Sequence, residues 1–288
     1  MPVMDDWPTG RIERPHPLVR RILAPNPSPF TFTGTQSYIV GEGEVALIDP
    51  GPDEPRHVAA LLAAIDGERV AAILCTHTHR DHSPGSRALA AATGAPIVGC
   101  APLALEDEGP RADDAFDFAY RPDRVLADGE ALSGEGWSLE AVATPGHTSN
   151  HLCFALAGTG LLFTGDHVMG WSTTVVSPPD GDMTDYMASL ERLLGRDDRL
   201  YFPAHGPSIG DPQDHVRRLV EHRRMRERQI LAKLEAGDGD VAKMVADMYR
   251  DIDPRLHPAA ARSVLAHLVD LERRGLVRAE GERWTLGA

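Results

Sequence analysis

Four of the six residues from 77 to 82 are of metal-binding type: His77-Thr78-His79-Arg80-Asp81-His82. Two imidazoles two residues apart can converge on one cation from a loop, while the adjacent Asp and His turn toward a second position. Nitrogen and carboxylate donors together suit Zn²⁺, with Fe²⁺ or Mn²⁺ as the next candidates. A lone histidine is usually structural, but three with an aspartate in six residues is hard to explain by packing. Three further fragments each offer one such donor: TPGHT with His147, FTGD with Asp166 and FPAHG with His205. Alone each is weak; their order along the chain and their setting give them weight.

The setting is a series of strands that end in polar loops. SYIV, GEGE and VALID predict a β-hairpin that runs into Asp49-Pro50-Gly51. Helical spacing covers residues 54–66, and VAAILC from Val70 reads as a buried strand that ends at the histidine-rich loop. A helix over 84–93 and the strand APIVGC follow. Residues 105–130 hold nine acidic and three basic side chains with little periodicity, which predicts a solvated excursion. Strands are expected over Trp137–Ala143, His151–Leu156, Leu161–Thr164 and Leu200–Phe202, with a helix at about 184–195. This pattern predicts a layered α/β domain over residues 1–210. A long Arg-rich connecting helix is expected over 211–236. Residues 237–288 then give two helical patterns and a hairpin around Glu280-Gly281, resembling a winged helix.

Composition narrows the classes. The 288 residues carry 43 Asp and Glu against 29 Lys and Arg, a formal net charge of −14 that disfavours holding nucleic acid or anionic lipid by an overall field. The acidity is local: residues 1–210 hold 29 acidic and 14 basic side chains, the remainder 14 and 15. Only two lysines, Lys233 and Lys243, are present, so Schiff-base chemistry has almost no candidates. Cys75, Cys100 and Cys153 form no C-x-x-C pair and read as small core residues of a reducing compartment. No signal-peptide pattern or apolar span of about 20 residues occurs, so a cytoplasmic protein without membrane contact is expected.

With THTHRDH, TPGHT, FTGD and FPAHG in this order, the sequence resembles the metallo-β-lactamase superfamily over about residues 18–210. The resemblance implies an αββα sandwich, here with a small helical, winged-helix-like C-terminal domain. It implies that His77, His79 and His147 bind one metal, that Asp81, His82 and His205 bind a second, and that Asp166 bridges both. Asp49, in the IDPG turn, would steady the loop that carries the ligands. THTHRDHSPG, TPGHTSNHLCF, LFTGDHVMGWSTTVV, DMTDYMASLERLL, FPAHGP and HLVDLERRGLV resemble in particular the endoribonuclease-like group of β-lactamase-like protein two and its bacterial relatives.

The chemistry implied is that of a dinuclear zinc hydrolase, in which a metal-bridging hydroxide attacks the substrate and Asp81 shuttles a proton. An ester, thioester, lactone or related small molecule is the expected substrate. A single-strand-directed endoribonuclease is the alternative, and a nucleic-acid-binding regulator with a degenerate core is the reading from another class. Asn150, Ser172, Thr173 and Thr174 are candidate substrate contacts. His151 and His167 lie beside ligand positions. The arginines at 217, 218, 223, 224, 226 and 228 form either a solvated helix face or a phosphate-binding one, and a homodimer is possible.

Overall fold

The computed structural model describes residues 8–104, 115–251 and 253–287. The chain divides into two compact units. The first comprises Met1–Ala143, Asn150–Ser172 and Asp198–Pro212, the second Thr144–Ser149, Thr173–Asp197 and Gln213–Ala288. The expected boundary at 210 thus falls within the last segment of the first unit, and two earlier segments group with the C-terminal helices.

Two sheets make up the first unit. The larger has seven strands in sequence order: β1 (Ile12–His16), β2 (Val19–Leu23), β3 (Gln36–Glu42), β4 (Glu44–Ile48), β5 (Arg69–Cys75), β6 (Ile97–Gly99) and β7 (Arg124–Val125). Strands β1 to β4 pair antiparallel, and β4 to β7 pair parallel. The expected hairpin is β3 and β4, whose register closes at Glu42↔Glu44 around Gly43. The parallel steps are made by α1 (Pro55–Ala64) between β4 and β5 and by α2 (Gly85–Thr93) between β5 and β6. In the second sheet β8 (Ala131–Gly134), β9 (Trp137–Ala143), β10 (Leu152–Leu156), β11 (Leu161–Gly165) and β12 (Leu200–Pro203) lie in the order β12-β11-β10-β9-β8.

Alternation along the strands explains why both faces of the larger sheet are apolar. Tyr38, Val40, Ala46, Ile48, Ala72 and Leu74 point toward Leu139, Phe154, Phe163 and Phe202 of the second sheet. Ile39, Val45, Leu47 and Ile73 point the other way, toward Val58, Leu61 and Leu89 of the two helices. A sheet covered on both faces reads as continuous apolar runs, as VALI and AAILC do. Between the sheets the rings of Tyr38 and Phe163 stand 5.0 Å apart, edge to face. The parallel strands all point the same way, so the turns after β4 and β5 open at one sheet edge, where ligand-bearing loops of such folds belong.

The solvated excursion expected over 105–130 holds only in part. Residues 105–114 lie outside the described residues. Beyond them Phe116, Tyr120 and Leu126 are buried, and β7 extends the sheet. Tertiary contacts override local composition here: Asp117 is buried because Arg87 and Ser83 pair with it. All three cysteines are buried, as expected of small core residues.

The second unit contains α3 (Met183–Leu194), α4 (Pro212–Glu235), α5 (Val241–Met248), α6 (His257–Arg273) and the hairpin β13 (Val277–Glu280) with β14 (Arg283–Leu286). Ile230 and Leu234 of α4 share a core with Met244, Val264, Leu268, Leu271 and Trp284. No helix among the described residues is long and apolar enough to cross a membrane.

Helix α4 is not simply a solvated Arg face. Arg223 is only 2% exposed, donates to the Thr174 carbonyl and lies 5.0 Å over the Tyr186 ring. Arg226 stacks on Tyr249, while Arg218 and Arg224 pair with Asp214 and Glu191.

His267 of α6 is buried with neither ring nitrogen hydrogen-bonded. Burial, with the nearby Arg223, His222, Arg274 and Arg226 charges, pushes its pKa down to about 3. The folded chain therefore keeps His267 neutral, whereas the unfolded chain binds a proton below about 6.5. Its contribution to stability is complete above that pH and is lost as pH falls from about 6.5 toward 3. In urea titrations between pH 7 and 4, His267→Met is expected to flatten the acid loss of stability by up to about 1.4 kcal/mol per pH unit. Equal slopes for the two proteins would remove His267 from the account.

Candidate metal centre

The histidine-rich loop begins where β5 ends. Thr76, its first residue, donates from N and Oγ1 to the two oxygens of Asp49, both at 2.8 Å. Asp49, directly after β4, sits in the left-handed region at φ +49. Its own carbonyl accepts a 2.5 Å bond from Ser37 Oγ, whose oxygen stands 2.7 Å from His57 Nε2 on α1. Sheet, turn and helix thus fix one carboxylate, and that carboxylate fixes the loop.

Two groups of donors gather at this edge. In one, His77, His79 and Asp166 offer ligand atoms within 4.8 Å of one another. His77 Nε2 and His79 Nδ1 are 3.0 Å apart. In the other, Asp81, His82 and His205 do the same. Asp166, at the end of β11, also adjoins this second group: its Oδ1 is 3.5 Å from His82 Nε2 and 3.2 Å from His205 Nε2. Asp81 Oδ2 is 3.4 Å and 3.1 Å from the same two nitrogens. His147 lies on segment 144–149 of the second unit, where its Nδ1 is 2.7 Å from the Val175 carbonyl.

The far nitrogens of the two imidazoles are already engaged. His82 Nδ1 is 3.0 Å from Asp49 Oδ2, and His205 Nδ1 is 3.2 Å from the Gly34 carbonyl. Both partners are acceptors, so they hold the protons on Nδ1 and turn the Nε2 lone pairs toward the carboxylates. His82 Nε2 is fully buried and makes no hydrogen bond, although two carboxylates stand within 3.5 Å. Lone pairs and carboxylates facing one buried point are an arrangement that a bound cation would satisfy.

Where no cation is bound, the same carboxylates draw a proton onto the imidazoles instead. Burial opposes charge on His82, but Asp81, Asp166 and Asp49 hold its pKa well above the usual imidazole range. Burial likewise opposes charge on His205, and Asp166 and Asp81 push it up to about 10. Asp81 and Asp166 resist burial through the same two imidazoles and stay well below the usual carboxylate range. The donor set could hold a dinuclear metal centre.

Supporting residues also emerge that their sequence context only hinted at. The Asp166 N–H donates to His151 Nε2 at 3.2 Å, so His151 steadies the loop that carries Asp166. Gly165, at φ +49, has no room for a Cβ, which would fall 2.7 Å from His151 Nε2 and 2.8 Å from Thr76 Oγ1. The ring of Phe116 packs 4.6 Å from that of His79. Of the candidate substrate contacts, Asn150 Nδ2 donates to Thr78 Oγ1 and to the Ala101 carbonyl, tying two loops of the first unit together. Ser172 is exposed, Thr173 is half-buried, and Thr174 is buried with its carbonyl taken by Arg223.

Comparison with known proteins agrees with this geometry. Residues 30–205 match the model of the metallo-beta-lactamase superfamily, and residues 240–284 that of the beta-lactamase associated winged helix domain. The chain is 34% identical over 254 residues to an atrochrysone carboxyl ACP thioesterase of Aspergillus fumigatus, covering 83% of this chain and 75% of the relative. It is also 34% identical over 283 residues to a beta-lactamase-like protein 2 homolog of Drosophila melanogaster, covering 90% and 89%. Among solved structures, a metallo-beta-lactamase family protein of Thermus thermophilus superposes with a TM-score of 0.75 at 25% identity, over 94% of this chain and 99% of that one. This chain therefore belongs to the metallo-beta-lactamase superfamily of hydrolases and carries the winged helix domain associated with it.

Proposed function

We propose that the protein is a cytoplasmic dinuclear zinc hydrolase acting on a small ester, thioester or lactone. His77, His79 and His147 would hold one ion, Asp81, His82 and His205 the other, with Asp166 between them. The observation that carries this reading is the buried, unbonded His82 Nε2 facing two carboxylates. Two such ions would supply a bound water whose pKa is lowered toward about 7 and would stabilise the negative charge that develops on the attacked oxygen.

The chain's own residues do the rest. Asp166 and Asp81 supply the negative charge that retains the cations, and Asp49, Gly34 and His151 fix the orientation of the ligands. Asp81 is the more open carboxylate, 27% exposed against 11% for Asp166, and through the oxygen not turned to His82 and His205 it would pass a proton from the attacking water to the leaving group. For a thioester, the C–O bond forms, the C–S bond breaks, the thiol leaves with one proton, and the carboxylate product releases the other to solvent.

A small acyl substrate is favoured over RNA by the charge of residues 1–210, 29 acidic against 14 basic, and by the commitments of Arg218, Arg223, Arg224 and Arg226. The thioesterase name of the Aspergillus relative points the same way. The decisive experiment is metal analysis of the purified protein with parallel assays on thioester, ester, lactone and single-stranded RNA. About two zinc ions per chain and chelator-sensitive acyl hydrolysis are expected. Salt-sensitive RNA cleavage lost in Asp81→Ala, without acyl hydrolysis, would replace this reading with the nuclease. No bound transition metal, and no activity on metal addition, would end both.

A further inference from the structure

Aromatic side chains border the metal centre on two sides. On the His205 side, Phe32 and Trp171 stack with centroids 5.0 Å apart and planes at 19°. Both lie next to atoms that hold His205. Phe32 is two residues before Gly34, whose carbonyl faces His205 Nδ1, and Trp171 follows Gly170, whose N–H donates to the His205 carbonyl at 3.0 Å. A Cβ on Gly206 would come within 3.0 Å of the Trp171 side chain, so the indole lies directly on the backbone after His205. On the other side, Phe116 packs on His79, and Phe118 follows 6.2 Å from Phe116.

Two features set these rings apart from ordinary core. Phe30, on the loop of Phe32, is 53% exposed, and Phe118 is 45% exposed. They are the only aromatic members of the exposed large apolar side chains among the described residues. Phe32 also sits at φ +59, a left-handed conformation that is unfavourable for a bulky residue. The loop is braced to hold it: Asn26 bonds to Thr35 through both side-chain atoms, at 2.9 Å each, and Thr31 Oγ1 donates to the Asn26 carbonyl at 2.6 Å. A strained ring braced beside a ligand loop fits a recognition role better than a packing one.

We propose that these rings form an acyl-binding rim and that the substrate is an ester or thioester with a planar aromatic acyl group. This rests on the acyl-hydrolase reading above. Aromatic faces would also stack on nucleobases, but a polyanion would meet the net acidity of residues 1–210, whereas an uncharged aryl group would not.

The test uses the full-length, metal-loaded protein with a matched pair of thioesters, 2-naphthoyl and acetyl, on the same thiol. A kcat/KM at least about tenfold higher for the naphthoyl compound is expected. Trp171→Ala should lower that ratio about tenfold, and Trp171→Phe should keep most of it. Phe30→Ala, at an exposed position with little folding risk, should lower it by a smaller factor. Equal turnover of both thioesters, or a ratio untouched by all three substitutions, overturns the rim and leaves the acyl-hydrolase reading standing. No turnover of either thioester by the metal-loaded protein overturns that reading, and the rim with it.

Discussion

Asp166→Ala is expected to lose at least about a thousandfold in kcat/KM and to purify with less than the wild-type metal content. The reason lies in where the carboxylate stands. Asp166 shares ligand-atom spacing with His77 and His79 and also lies within 3.5 Å of His82 and His205. Removing any single imidazole leaves one cluster intact; removing Asp166 takes negative charge from both at once. Folding should suffer less than function, since β11 and the Gly165 turn remain and the Asp166 N–H still meets His151. Metal content by elemental analysis and thermal melts on the same preparations separate the effects. A variant that keeps two metals and more than a tenth of wild-type activity would remove the bridging role.

The site was legible in the sequence because its donors cluster at motif spacing, and the structure brings six of the seven expected ligands together within the first unit. Helices α1 to α6 were also legible, since caps and periodicity are local signals. What escaped was set by distant partners. Strand β1 contains Pro15 and shows no alternation, as an edge strand permits. Strand β8, the edge of the second sheet, has one large apolar residue in four. The buried segment around Phe116 is positioned by an isolated bridge to His79, which no local pattern announces. Arg223 looks in sequence like its five neighbouring arginines. Its burial depends on Thr174 and Tyr186, about 49 and 37 residues away. His151 was legible as a neighbour of the site, but its bond to the Asp166 backbone requires β10 and β11 to pair first.

Asp49 offers the second large effect, one that a substitution can split into its components. Its two oxygens accept from Thr76 N, Thr76 Oγ1 and His82 Nδ1, and its backbone sits at φ +49. Asp49→Ala would strand those buried donors and place Ala in a left-handed conformation, each at a cost of about 1–3 kcal/mol. A large loss of stability is therefore expected, with activity lost as a consequence. Asp49→Asn is the sharper probe. Asparagine tolerates the left-handed backbone and can still accept from Thr76 N through Oδ1. At the Oδ2 position, however, an amide NH₂ now faces His82 Nδ1 and Thr76 Oγ1 and must donate. The hydroxyl can turn to accept, but the imidazole can accept only by moving its proton to Nε2, the atom that faces Asp81 and Asp166. The ring would then present a hydrogen where a lone pair is needed. Asp49→Asn is accordingly expected to melt within a few degrees of wild type yet bind its metal about 10–100-fold more weakly, as measured by competition with a chromogenic chelator. Wild-type metal affinity in a folded Asp49→Asn protein would show that the Asp49 carboxylate holds the loop through Thr76 alone and does not set the His82 tautomer.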